Sequence, residues 1–184
     1  MKNILLKNHF YFKNIPNFLT FGRILLIFPI IYFFEVEKSN LVWYLLLFGG
    51  ITDYLDGFLA RKFKLASKIG SILDPLADKI IIIIPLIWLC NQNIIPFWSI
   101  SLLTLREFII TAFRSLHNDG MPALKIGKYK TLFLFLSLIL ILSPFKELNT
   151  IYAGIIFYWI GFSLNVISFT SYLLKSDASE SGSK

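Results

Sequence analysis

Cysteine is almost absent. The 184 residues contain one, Cys90, and a single thiol excludes a disulfide framework. Histidine is nearly as scarce. His9 and His117 lie too far apart to supply metal-ligand spacing, so both read as surface or interfacial residues. Charge is thin as well: Asp, Glu, Lys and Arg make up 16% of the chain, against about a quarter in an ordinary soluble domain. The apolar run behind Lys2, Lys7 and Lys13 lacks a small-residue cleavage site, so the N-terminus is not expected to be a removable signal. No internal repeat is visible. What fills the chain instead is Ile, Leu and Phe. Hydrophobic residues are 56% of the total, more than one soluble core of this length can hide. A bilayer is the simpler place for them, and the expected fold is an all-α, polytopic bundle of membrane helices.

A helix needs about 20 apolar residues to cross the hydrocarbon layer. Six segments qualify or come close: 18–34, 41–59, 69–89, 94–116, 129–142 and 151–174. The fifth is short, and its helix is expected to begin near Leu124. Pro16, the run Asn91-Gln92-Asn93 and the pair Ser143-Pro144 mark breaks between segments. Lys and Arg alternate from side to side. One set of flanks carries Lys2, Lys7, Lys13, Arg23, Arg61, Lys62, Lys64, Lys68, Arg114, Lys125, Lys128 and Lys130. The other carries only Lys38 and Lys146, beside Glu35, Glu37 and Glu147. This bias predicts six transmembrane helices in a cell membrane, with both termini in the cytoplasm. The formal net charge of +7 suits an anionic membrane face rather than nucleic acid, because the cations sit between apolar runs. Segment 5–12 reads as a short amphipathic surface helix. Residues 1–175 read as one membrane domain, and the Ser-rich 176–184 as a disordered polar tail.

Seven charged residues fall inside the candidate spans: Asp53, Asp56, Asp74, Asp78, Lys79, Arg106 and Glu107. Each costs roughly 2.5 to 3.5 kcal/mol at a helix centre, so such residues are functional by default. Their depth gives a shared reason. The second span runs inward and the third runs outward, which brings all four aspartates near the cytoplasmic surface. Asp53 and Asp56 are three apart, Asp74 and Asp78 four apart, so each pair shares one helix face. Four carboxylates in a small volume repel unless cations neutralise them, and hard oxygen donors suit Mg²⁺ or Mn²⁺. The alternative is a structural ion-pair network with Lys79, Arg61 and Arg106. Gly57 and Ala60, about one turn apart, allow a ligand to approach the helix backbone, with close helix packing as the alternative, whereas Gly49, Gly50 and Gly154 read as helix-packing positions.

The same residues form a pattern: Asp53-x2-Asp56-Gly57-x2-Ala60-Arg61-x8-Gly70-x3-Asp74-x3-Asp78. It resembles the signature of the CDP-alcohol phosphatidyltransferase family, matching all eight defined positions across 26 residues. The resemblance extends to the six-span layout. It implies that Asp53, Asp56 and Asp74 hold two metal ions, with Asp78 completing the site and serving as general base. It implies that Gly57, Ala60 and Gly70 line a cytidine pocket and that Arg61 meets the diphosphate of CDP-diacylglycerol. The implied reaction is attack by an alcohol on the phosphorus that bears the diacylglycerol, with release of CMP. A homodimer is implied as well.

Three shorter segments bear on the alcohol. They are Ile15-Pro16-Asn17-Phe18-Leu19-Thr20-Phe21-Gly22-Arg23, Leu105-Arg106-Glu107-Phe108 followed by Arg114, and Gly127-Lys128-Tyr129-Lys130-Thr131. They resemble the bacterial branch of the family that makes phosphatidylglycerophosphate. The implied acceptor is sn-glycerol 3-phosphate. Asn17 and Thr20 would then help bind the donor, and Arg23, Arg106, Arg114, Lys128 and Lys130 would hold the acceptor phosphate. For the lysines, membrane anchoring is the competing role. For Arg106 it is an ion pair with Glu107 or the aspartates. Other acceptors (inositol phosphate, serine, phosphatidylglycerol) are the nearest alternative. A divalent-cation transporter is the alternative of another class, but it would want a polar path through the outer halves of the second and third spans, and none is present. A non-catalytic scaffold would keep a costly charge cluster for nothing.

Overall fold

A computed structural model describes residues 21–63, 68–116, 125–145 and 147–181, with side chains for 21–55, 77–110, 127, 129–145 and 147–171. The expected surface helix at 5–12 lies outside these residues. The described residues are helical, without strands. The helices are α1 (Ile27–Glu35), α2 (Ser39–Phe63), α3 (Lys68–Asn91), α4 (Phe97–Leu116), α5 (Lys125–Ile141) and α6 (Leu148–Ser181). They fall into two units, residues 1–85 and 86–184.

In the first unit, a helical segment at 21–25 leads through a turn at Leu26 into α1. Pro29 explains the interruption, since it has no N–H to give to the Leu25 carbonyl. The flanking bonds persist, from Leu26 N to Gly22 O at 3.0 Å and from Ile30 N to Leu26 O at 3.1 Å. α1 ends in a Schellman motif. Lys38 N donates to Phe33 O at 2.8 Å and Glu37 N to Phe34 O at 3.1 Å, with Glu37 at φ 56°. α3, whose last residues belong to the second unit, ends the same way. Ile94 N donates to Leu89 O at 3.0 Å and Asn93 N to Cys90 O at 2.9 Å, with Asn93 at φ 57°. The polar run Asn91-Gln92-Asn93 is therefore the stop that the sequence predicts, and Asn is a residue that tolerates this conformation. Ile30, Phe34, Val42, Leu46, Ala77, Ile81 and Ile82 are buried in this unit. A Cβ on Gly49 would come 2.8 Å from Ile81 Cδ1, so α2 and α3 pack closely there.

In the second unit, α5 and α6 pack along their length. A Cβ on Gly154 would meet Ile141 Cγ1 at 2.5 Å, and one on Gly161 would meet Leu134 Cγ at 3.0 Å. Small residues at a helix interface are how apolar helices approach closely. α4 joins α6 through a buried hydrogen bond between Ser99 Oγ and Tyr158 Oη at 2.6 Å, flanked by Trp98, Trp159 and Phe162. α5 begins at Lys125, close to the start expected near Leu124. α6 stays helical to Ser181, through most of the segment that composition reads as a disordered tail.

The polarity of α6 is inverted relative to a soluble helix. Gly154, Tyr158, Gly161, Asn165 and Ser168 are buried, at alternating spacings of four and three. Tyr152, Ile156, Trp159, Ile160, Val166 and Ile167 are exposed. A helix with small and polar groups inside and large apolar groups outside is matched to lipid. α4 follows suit, exposing Phe97, Trp98, Leu102, Leu105 and Phe108 while burying Arg106. Among the described residues, Leu148–Ser171 has the length and apolarity to cross a membrane, and Tyr129–Ile141 is apolar but shorter. α2, α3 and α4 are long enough, but each carries internal charges.

Candidate active site

The signature aspartates lie on the two helices of the first unit that the sequence assigns them to. Asp53 and Asp56 belong to α2, Asp74 and Asp78 to α3. Side-chain positions are described for Asp53 and Asp78, and one group brings them together. Arg23 Nη1 donates to Asp53 Oδ1 at 2.5 Å and also to Asp78 Oδ1. One nitrogen reaching carboxylates from two helices places their oxygens within a few ångström of each other. Arg23 is 3% exposed, while the Asp53 and Asp78 side chains are 54% and 42% exposed. The guanidinium is thus buried beneath two carboxylates that face outward. Two carboxylates held this close repel each other, and positive charge beside them relieves the repulsion.

Sequence reasoning counts Arg23 among the flanking cations and assigns it to the acceptor phosphate. The structure places it in the helical segment 21–25, on the aspartates. Asp53 and Asp78 both pair with Arg23, which the ion-pair alternative did not name. Asp56, Gly57, Ala60, Arg61, Gly70 and Asp74 lie on helical backbone, and their side chains are outside the described set. Asn17 and Thr20 are outside it altogether. Among the described residues no three acidic, His or Cys side chains gather into a metal-binding group. Asp53 and Asp78 are nevertheless hard oxygen donors of the type that Mg²⁺ and Mn²⁺ take.

A second polar site lies in the other unit. Arg106 on α4 is 6% exposed, Lys130 on α5 7%, Asn165 on α6 2% and Ser168 0%. Their hub is Glu107. Its Oε1 accepts from Arg106 Nη1 at 3.0 Å, from Lys130 Nζ and from Asn165 Nδ2 at 3.3 Å. Arg106 Nη2 donates to Ser168 Oγ at 2.7 Å. Two cations thus meet at one carboxylate inside a set of apolar helices. Arg106 and Lys130, two of the predicted acceptor-phosphate residues, therefore stand together. Arg114 and Lys128 lie on α4 and α5, with side chains outside the described set. Sequence reasoning gave Glu107 no role beyond pairing with Arg106, and missed Asn165 and Ser168. Their spacing of three puts them on one helix face, but Ser163 and Thr170 are polar too, and only the contacts single out Asn165 and Ser168.

Helices with apolar exteriors and ionic groups held inside define an integral membrane protein that handles charged substrates. The chain belongs to the CDP-alcohol phosphatidyltransferase family, whose model matches residues 13–167. It is similar to the CDP-diacylglycerol–glycerol-3-phosphate 3-phosphatidyltransferase of Rickettsia felis, with 32% identity over 169 residues, covering 87% of this chain and 93% of that protein. The protein of the same name from Haemophilus influenzae is 36% identical over 171 residues, covering 87% and 91%. That from Bacillus subtilis is 29% identical over 187 residues, covering 89% and 95%.

Proposed function

We propose that this chain transfers the phosphatidyl group of CDP-diacylglycerol to sn-glycerol 3-phosphate, giving phosphatidylglycerophosphate and CMP. One observation carries the reading: Asp53 and Asp78, at the family's signature positions on two helices, converge on one nitrogen of Arg23. The names of the relatives support the choice of acceptor.

In this reading Asp53, Asp56 and Asp74 hold two divalent ions, Mg²⁺ or Mn²⁺, with Asp78 completing the set. Bound there, the ions supply charge neutralisation for the diphosphate and for the departing CMP. Asn17, Thr20, Gly57, Ala60, Arg61 and Gly70 bind the donor. The small residues let cytidine approach the helix backbone, and Arg61 meets the diphosphate. Asp78 takes the proton of an acceptor hydroxyl. The hydroxyl oxygen bonds to the phosphorus that carries the diacylglycerol, the bond from that phosphorus to the bridging oxygen breaks, and CMP leaves. Arg23, Arg106, Arg114, Lys128 and Lys130 hold phosphate groups, with Arg23 beside the reacting ones. Six spans, both termini in the cytoplasm and a homodimer in the cell membrane complete the proposal. The acyl chains of the donor then stay in the bilayer while the headgroup meets the aspartates.

The test is CMP release by purified protein given CDP-diacylglycerol, Mg²⁺ or Mn²⁺, and each of glycerol 3-phosphate, serine, inositol phosphate and phosphatidylglycerol. Release is expected with glycerol 3-phosphate and is expected to stop when EDTA is added. Release with another acceptor alone would contradict the assignment.

A further inference from the structure

Two cations buried side by side in apolar surroundings repel each other and pay heavily for lost hydration. Arg106 and Lys130 escape this cost because the Glu107 carboxylate lies between them. A carboxylate placed so brings a danger of its own, since a Glu that swings fully onto one cation leaves the other stranded. Two groups from α6 prevent that. Asn165 Nδ2 holds Glu107 Oε1 at 3.3 Å, and Ser168 Oγ holds Arg106 Nη2 at 2.7 Å. Asn165 and Ser168 are three residues apart, hence on one helix face, and both are buried. Neither carries charge, so they fix the positions of Glu107 and Arg106 without adding a charge of their own. A phosphate monoester dianion is the kind of ligand that such a cluster would attract.

We propose that Asn165 and Ser168 are positioning residues for the acceptor's phosphate. They act through Glu107 and Arg106 and tune the affinity for the phosphorylated acceptor rather than for the lipid donor. This rests on the reading of Arg106 and Lys130 as acceptor-phosphate ligands. It also explains why two polar residues persist on α6, where an apolar side chain would pack against lipid-matched neighbours at lower cost.

The test is steady-state kinetics with both substrates varied. Ser168→Ala and Asn165→Asp are each expected to raise KM for glycerol 3-phosphate about tenfold while moving KM for CDP-diacylglycerol less than about twofold. Asn165→Asp adds no volume to the core. It replaces the donor to Glu107 with a second carboxylate beside the two cations, so its effect is expected to be the larger. Ser168→Thr keeps the hydroxyl and is expected to bring KM back from the Ser168→Ala value toward that of the wild type. Ser163→Ala, on the exposed side of α6, is the control and should leave both constants unchanged. Equal rises in both KM values, or a fall in kcat alone, would overturn the positioning role. So would a Ser168→Thr variant as impaired as Ser168→Ala. If the wild type released no CMP with glycerol 3-phosphate, the functional reading would fall first and the positioning role with it. Wild-type turnover without the split in the variants would sink only the latter.

Discussion

Arg23 shows how a buried charge is tolerated at residue scale. It is 3% exposed, yet its guanidinium lies against two carboxylates that retain contact with the outside. Each charge thus has an opposite charge or solvent beside it, which is the condition under which buried ions are stable. Of the two acids, Asp78 is the proposed base. Asp78→Asn preserves shape and removes the proton acceptor. CMP release is expected to fall by about 10²-fold or more, while nucleotide binding measured by calorimetry persists. Turnover like that of the wild type would rule out Asp78 as the base. The aspartates were legible in the sequence because carboxylates in apolar helices are conspicuous and their spacing is that of a known signature. Arg23 was singled out for the acceptor phosphate, but its pairing with the aspartates was not legible, because its place at the edge of an apolar run looks like a membrane flank. Only the packing of 21–25 against α2 and α3 turns it toward Asp53 and Asp78.

At the scale of elements, apolar runs and punctuation foretold most helices. α2, α3, α4 and α5 follow the expected segments closely, because Asn91-Gln92-Asn93 and Ser143-Pro144 really do interrupt helical bonding. The break at Leu26 was not foreseen. It comes from one missing hydrogen bond at Pro29, which a hydropathy pattern does not register. The continuation of α6 to Ser181 was also missed, since polar composition does not by itself prevent a helix from running on. Gly154 was read as a packing position, and the geometry says why. A Cβ there would lie 2.5 Å from Ile141 Cγ1 and 3.1 Å from Ile141 N, and the backbone nitrogen cannot move aside. Gly154→Ala is therefore expected to destabilise the α5–α6 pair by about 1–3 kcal/mol, lowering the thermal midpoint in detergent. An unchanged or higher midpoint would mean that the helices do not approach this closely.

For the whole molecule, chemistry and topology are linked by charge. The aspartates lie in the halves of α2 and α3 that adjoin the Lys/Arg-rich 61–68 segment, and by the positive-inside bias the proposed reaction takes place on the cytoplasmic side. A thiol placed at Ser67 in a Cys90→Ser background is expected to react with a membrane-impermeant reagent only in inverted vesicles. Labelling of intact cells would reverse the orientation. Composition pointed to the membrane because there are too many apolar residues to bury. The inside-out faces of α4 and α6 agree, with Phe108 68% exposed and Arg106 6% exposed only two residues apart. The polar cluster around Glu107, the proposed acceptor site, was only half legible, since Arg106 and Lys130 are conspicuous charges, whereas Asn165 and Ser168 gain meaning only through their contacts. The central claim is transfer of a phosphatidyl group, and the fate of one phosphorus atom tests it most directly. With ³²P at the phosphate bonded to diacylglycerol, incubation with glycerol 3-phosphate should carry all the label into phosphatidylglycerophosphate and release unlabelled CMP. Label in the nucleotide product, or none in a lipid containing the acceptor, would contradict the account.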